Sequence, residues 1–457
     1  MPLPGKNALL GWVGVAGLLF AIPSFAESHA RIVRLSDVQG GVQIDRNVGQ
    51  GFEKALLNLP VTQGAKIETR SDGRAEVEFE NGSILHLAPG TVASFPVLSL
   101  RDSGAKDSSV ELMQGTSYLS FTGRNGDQFT LSFGPEHVAF TQAAHVRVQM
   151  NQNVATLAVL EGAAQVEGPS GPVEVAKKQS ATFNFAGQGT YTLAKKVSEE
   201  PFDVWDKEQL QYHDRYLSKN NPTPYSYGVS DLNYYGSFTT VAGMGSCWQP
   251  YFAGAGWDPF MNGSWVWYPT GYTWVSAYPW GWMPYYYGSW NYLSSGGGWC
   301  WSPGSSWGAW NAVPVIVNAP GGFRPLRPPV NPVRTVVTVN RGPGLSNLGN
   351  RTVIARGSAG LGISRGSINN MSKLSQQAEV KGSATTTLRQ TPMNSMANGP
   401  RSTSPRGNYP SGARSTGMSS HSNSAPRMQS APSPGMGSSA PSMPRGAGAS
   451  PGAGPRK

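Results

Sequence analysis

Between residues 31 and 196 short runs of alternating apolar and polar side chains are broken by glycine-containing turns, with no sustained helical periodicity. Ala75, Val77 and Phe79 alternate with Glu76, Glu78 and Glu80, which predicts a strand with one face on a core and a charged face in water. Asn81-Gly82 follows, then Ile84-Leu85-His86-Leu87. An Asn-Gly pair supplies the two positive-φ positions of a type I′ turn, so a hairpin is expected here. Further strands are expected at 42–44, 110–112, 129–131, 146–148, 156–159, 164–166, 173–175 and 181–183. Strands this regularly spaced predict a β-domain over 31–196, built as a roll, sandwich or solenoid. The pattern changes at 199–218. Phe202, Trp205, Gln209, His213 and Tyr216 share a helical face, with acids at the start and Arg215 near the end to suit the helix dipole, so one short helix is expected to pack on the β-domain.

Residues 225–310 hold 12 of the 14 Trp and 12 of the 17 Tyr, and only Asp231 and Asp258 are charged. Gly256-Trp257-Asp258-Pro259-Phe260 with Gly263-Ser264-Trp265 recurs 25 positions later as Gly281-Trp282-Met283-Pro284-Tyr285 with Gly288-Ser289-Trp290. Trp267 and Trp274 recur as Tyr292 and Trp299, and a diverged first copy spans 235–251. Each unit reads as a β-hairpin. The rings pack on one another in a module short of Leu, Ile and Val, or a subset forms an exposed ligand platform. The platform candidates are Trp257, Trp265, Trp267, Trp274, Trp282, Trp290 and Trp299. Cys247 and Cys300 close the first and last copies. A disulfide between them would clip the ends of the array, which geometry decides.

Composition locates the charge. The net charge is +10, yet from Gly321 onward 17 Lys/Arg face a single acid, Glu379, so the rest of the chain is acidic. Residues 320–457 are dominated by Pro, Gly, Ser, Asn and Arg, which predicts a basic disordered tail that could contact anionic polymers; within it, 330–355 could form a strand or two. Specific nucleic-acid binding is not expected, because the aromatic segment lacks a basic track.

At the N-terminus Lys6, the apolar run 8–22 and Pro23-Ser24-Phe25-Ala26 read as a signal peptide over 1–26. No later run is long and apolar enough to span a bilayer, so the chain is expected outside the cytoplasm, in the periplasm or envelope or secreted. No cofactor or metal is expected: the six His (His29, His86, His137, His145, His213 and His421) show no metal-ligand spacing, and no nucleophile elbow or phosphate loop is present. The expected class is therefore a non-enzyme.

The stretch from Leu59 to Leu87, with Gly64-Ala65-Lys66-Ile67-Glu68-Thr69, the alternating strand and Asn81-Gly82-Ser83, resembles the FecR-type periplasmic domain. Looser landmarks are Val110-Glu111-Leu112-Met113-Gln114-Gly115 and the run from Ala158 to Val166. The aromatic segment resembles an uncharacterised family of Trp/Tyr/Gly/Pro repeats that follows such domains in bacterial envelope proteins. The resemblance implies an extracytoplasmic β-domain that binds a protein or glycan in signal reception or as a scaffold. Without a cytoplasmic segment or retained span, a sigma-regulator role is not carried over. The alternative is an envelope adhesin or carbohydrate-binding protein working through the aromatic repeat.

Overall fold

The computed structural model describes residues 31–389 apart from 32, 125, 187–188, 218–222, 224, 308–314, 326 and 332–334. The signal-peptide reading over 1–26, His29, His421 and the tail beyond 389 lie outside the described residues.

The chain is mainly β. From Val33–Gln39 to Thr190–Ala194, sixteen strands form two sheets that share one long strand, Lys106–Phe121. Residues 106–112 and 114 of that strand pair in one sheet, with Val92–Leu100 and Gln128–Phe133; residues 115–121 pair in the other, with Ile84–Leu87 and Ala144–Met150. Gly115 sits at the change of sheet with φ +91°, and a Cβ there would lie 2.5 Å from the Thr91 Cα, so this crossing needs glycine. Between the sheets Leu35, Ile44, Ile67, Val77, Leu112, Phe129 and Val146 join one apolar core.

The Arg74–Phe79 and Ile84–Leu87 hairpin forms, but not through a type I′ turn. Gly82 donates back to the Phe79 carbonyl at 2.9 Å and alone adopts positive φ, as in a type I turn closed by a glycine bulge. Asn81 is drawn from the left-handed region because its buried amide accepts from Ser83 N at 3.0 Å and donates to Asp127 at 2.9 Å.

Three aromatic hairpins follow: Gly236–Val241 with Gly245–Pro250, Asn262–Tyr268 with Gly271–Ser276, and Tyr287–Leu293 with Gly298–Trp307. The first and third share a sheet, in which Trp248 faces Trp301 and Cys247 is bonded to Cys300. The Gly-Ser step recurring at 236, 263 and 288 lies against an indole each time, and at 288 a φ of +73° and the Ser302 carbonyl, 2.1 Å from a Cβ, require glycine as well. A Cβ on Gly236 would lie 2.4 Å from the Trp248 indole, one on Gly263 2.4 Å from that of Trp274, and one on Gly288 2.9 Å from that of Trp301. Each glycine is the floor on which a partner-strand indole lies.

The helix expected at 199–218 forms as α1 (Asp203–Leu217), and among the described residues three more accompany it: α2 (Val229–Tyr235), α3 (Met283–Tyr286) and α4 (Met371–Lys381). Of the basic segment 320–457, the described part up to 389 carries regular elements, among them the strands expected within 330–355. Val337–Asn340 adds antiparallel to Asn262–Tyr268, and Leu345–Leu348, Arg351–Ala355 and Ser383–Thr386 form a sheet beside α4. Its sequence contains the means: Asn370 caps Lys373 N, Gly382 ends α4 at φ +78°, and Met371 and Ala378 put a buried face on the aromatic core.

Candidate functional site

The charged face of Arg74–Phe79 is not in water. Glu76, Glu78 and Glu80 are all buried, Glu76 at 0% exposure, so the strand carries an apolar core on one side and an ionic lattice on the other. The reason is that three separate parts of the chain cover that side: α1, the loop into α2, and Arg365. Burying carboxylates is costly unless cations and donors meet them, and here they do.

Glu76 lies at the centre. It accepts from Ser36 Oγ at 2.6 Å and Arg365 Nη1 at 2.6 Å, and lies 3.0 Å from both His86 Nε2 and His213 Nε2. Burial pushes its carboxyl up, but Arg365 and His213 prevail and hold it well below the usual range. His86 reaches on through Nδ1 to Asp206 at 2.7 Å. Asp206 also lies 3.0 Å from His145 Nε2, an ion-pair contact at an angle outside that of a hydrogen bond. At the other end His213 Nδ1 meets Ser230 Oγ at 2.9 Å. Imidazole and carboxylate therefore alternate along one line: His145, Asp206, His86, Glu76, His213. Burial opposes the charge on His86, yet its bonds to Asp206 and Glu76 raise it to about 9; burial likewise opposes ionisation of Asp206, yet His145 and His86 lower it to about 2.

The second centre is Asp231 on α2, fully buried in the aromatic part. It accepts from Arg365 Nε and Nη2 at 2.8 Å each, from Arg34 Nη2 at 2.5 Å and from the Tyr212 hydroxyl at 2.9 Å. Burial raises it, but Arg365 and Arg34 bring it below its ordinary value. Arg34 in turn donates to Glu78 and Asn58, and Asn58 donates to the Ser276 and Tyr278 carbonyls. At the start of α1, Asp203 takes Arg147 and the Tyr118 hydroxyl. This lattice fastens the β-domain, α1, α2 and the segment carrying Arg365 to one another. It offers ion pairs and a file of proton-holding groups, and its Ser230–His213 contact is buried.

The seven tryptophans of the platform reading do not make an open surface. Trp257, Trp265, Trp274, Trp282, Trp290 and Trp299 are each no more than 4% exposed, and Trp267 is half-buried. Trp257 and Trp290 lie 5.8 Å apart edge to face, Trp265 and Trp274 5.3 Å, Trp282 sits 4.7 Å from Tyr286, and Trp299 is covered by Tyr292 and Phe323. With few aliphatic side chains beside Val229, Leu232 and Met283, the module fills most of its core with rings. Among the described residues no group of His, Cys, Asp and Glu could hold a metal ion, and no helix is long and apolar enough to cross a membrane.

The sequence missed the lattice because acids at every second position on a strand carry the same signature whether they meet water or cations. Two signals were present: the expected hairpin sets His86 opposite Glu76, and the apolar face of 199–218 carries His213, a polar group that needs a partner once that face is docked.

Residues 65–165 match the model of the FecR protein family, and residues 229–329 match a family of unknown function, DUF6600. A FecR-type domain is thus followed by a domain of an uncharacterised family. Two crystal structures, at 1.65 and 2.50 Å resolution, of a "putative anti-sigma factor" from Parabacteroides distasonis ATCC 8503 are similar to the chain at 18% identity and a TM-score of 0.26. The similarity covers 32% of this chain and 64% of that one, less than two thirds of its length. No curated protein matches.

Proposed function

We propose that this chain, a FecR-type domain joined to an aromatic domain, is a non-catalytic binding protein of the cell envelope that takes part in signal reception. The FecR match over 65–165 carries this reading. In it, the β-domain meets a partner protein or glycan, and the aromatic domain with the 337–386 segment holds it in one rigid body through the Arg365 lattice. The lattice supports a structural use of its acids and imidazoles, since each is engaged by another side chain of the same chain. The apolar run at 8–22 and Ala26 support export with cleavage.

The test is a transcript comparison between a deletion strain, the same strain complemented with the full chain, and wild type under envelope stress. A gene set that changes on deletion and returns on complementation is expected. Identical transcripts in all three strains would sink the signalling role. Fractionation of the complemented strain should recover the chain outside the cytoplasm, beginning after Ala26.

A further inference from the structure

Among the described residues arginine is buried at five positions outside the 365 segment: Arg31, Arg34, Arg46, Arg74 and Arg147. Four of them sit on a carboxylate: Arg31 on Glu80, Arg34 on Glu78 and Asp231, Arg46 on Glu53, Arg147 on Asp203. Arg74 is the exception. It is 4% exposed, it donates to Gln39 Oε1 at 2.9 Å, its guanidinium lies 5.3 Å from the Trp205 ring centroid, and among the described residues no carboxylate is within ion-pair distance. Burial accordingly pulls it below its ordinary value, with Asp37 and Glu208 opposing from farther off. A buried cation without a counter-ion is costly, and this one lines a cleft.

The cleft has a volume of about 800 Å³, within the range of ligand sites. One wall is the β-domain at 39–40 and 72–74; the other is the turn between Leu345–Leu348 and Arg351–Ala355, with 364, 367 and 388–389 completing it. Its other charges are Arg351, Arg389 and a single acid, Asp72, whose Oδ1 is 3.2 Å from Gly41 N. Arg351 and Arg389 are exposed and make no ion pair among the described residues. The rest of the lining is amide, hydroxyl and glycine, with Leu388 as its one aliphatic side chain and no aromatic ring. That lining suits a ligand rich in hydroxyls that also carries negative charge. It does not suit a nucleic acid, whose bases would have nothing to stack on, or an apolar peptide.

We propose that this cleft binds an acidic oligosaccharide, its carboxylates or phosphates held by Arg74, Arg351 and Arg389 and its hydroxyls by Asn347, Asn350 and Ser364. Guanidinium forks pair with either anion in two-point fashion. The inference names a ligand class for the binding role proposed above and rests on that reading.

Calorimetric titration of the full chain with four probes tests it: tetragalacturonate, lipid-free phosphorylated core oligosaccharide of lipopolysaccharide, neutral maltotetraose and an acidic hexapeptide. Saturable, salt-sensitive binding of one or both acidic saccharides is expected, the stronger arm identifying the anion. Arg351→Gln and Arg389→Gln should each weaken it about tenfold or more, the scale of one charge-assisted hydrogen bond. Arg74→Gln should weaken it further, with its unfolding midpoint read alongside because the side chain is buried on Trp205; should that variant not fold, the two surface variants decide. The proposal is overturned if neither acidic saccharide binds, if Arg351→Gln/Arg389→Gln binds as wild type, or if maltotetraose or the hexapeptide binds at least as well. Failure here with the transcript effect intact removes the cleft and leaves the signalling role; saccharide binding with unchanged transcripts does the reverse.

Discussion

Arg365 donates to Glu76 from 289 positions away and to Asp231 from 134, so one guanidinium bridges two fully buried acids from different domains. Replacing it by methionine leaves both acids short of a cation, at a cost of about 3–5 kcal/mol, readable in urea unfolding. Adding Glu76→Gln and Asp231→Asn to that variant should return part of the loss; no return would mean that packing, not charge, sets the cost. The glycines beneath the indoles make a second residue-scale test. Gly263→Ala forces a methyl against Trp274 and should cost about 1–3 kcal/mol with a change in tryptophan fluorescence. Gly256→Ala, with nothing within 4 Å of its Cβ, should leave both signals unchanged. The recurrence of Gly-Ser was legible in the chain. What lay across from each glycine was not, because hairpin register fixes it.

At the scale of the element, the line from His145 to His213 determines how α1 stays docked. His86 is held at about 9, above the 6.5 of the unfolded chain, so its contribution is full below 6.5 and is lost as pH rises through 9. Asp206 at about 2 lies below its unfolded 3.8, so its contribution is present above 3.8 and is lost as pH falls through 2. Urea midpoints should therefore hold between pH 4 and 6.5 and decline toward pH 9, and His86→Asn should flatten the alkaline decline; an unaltered slope would exclude His86 as its cause. The strands themselves were readable from alternation, since the apolar face of 75–79 does reach the core. Part of their polar face was within reach, since His86 stands opposite Glu76 in the expected hairpin; the rest was not, because its partners lie on the Val33–Gln39 strand, on α1, in the loop into α2 and at Arg365, which local pattern does not link to it. α4 was missed for a different reason: Gly- and Ser-rich flanks outweighed the Asn370 cap and the apolar positions 371, 374 and 378.

For the whole molecule, the Cys247–Cys300 bond closes a stretch of 53 residues around the middle hairpin. In the chain-entropy account a loop of that length is worth about 4 kcal/mol. Cys247→Ala/Cys300→Ala should unfold correspondingly earlier in urea, and an unchanged midpoint would show that ring packing alone holds the module. Residues 337–386 contribute at the same scale, since they supply a strand to the middle hairpin, a helix against the aromatic core and the arginine that joins the two domains. Arg365 also completes the joint last. A chain emerging from its N-terminus presents Arg34 and Glu76, then Asp231, so the Arg34–Asp231 pair is available to join the β and aromatic parts first. Arg365, 134 positions beyond Asp231, adds the second link only after the rest of the joint has been made. A chain halted before it should be cleaved faster at the joint than the full chain, while its β-domain is already protected.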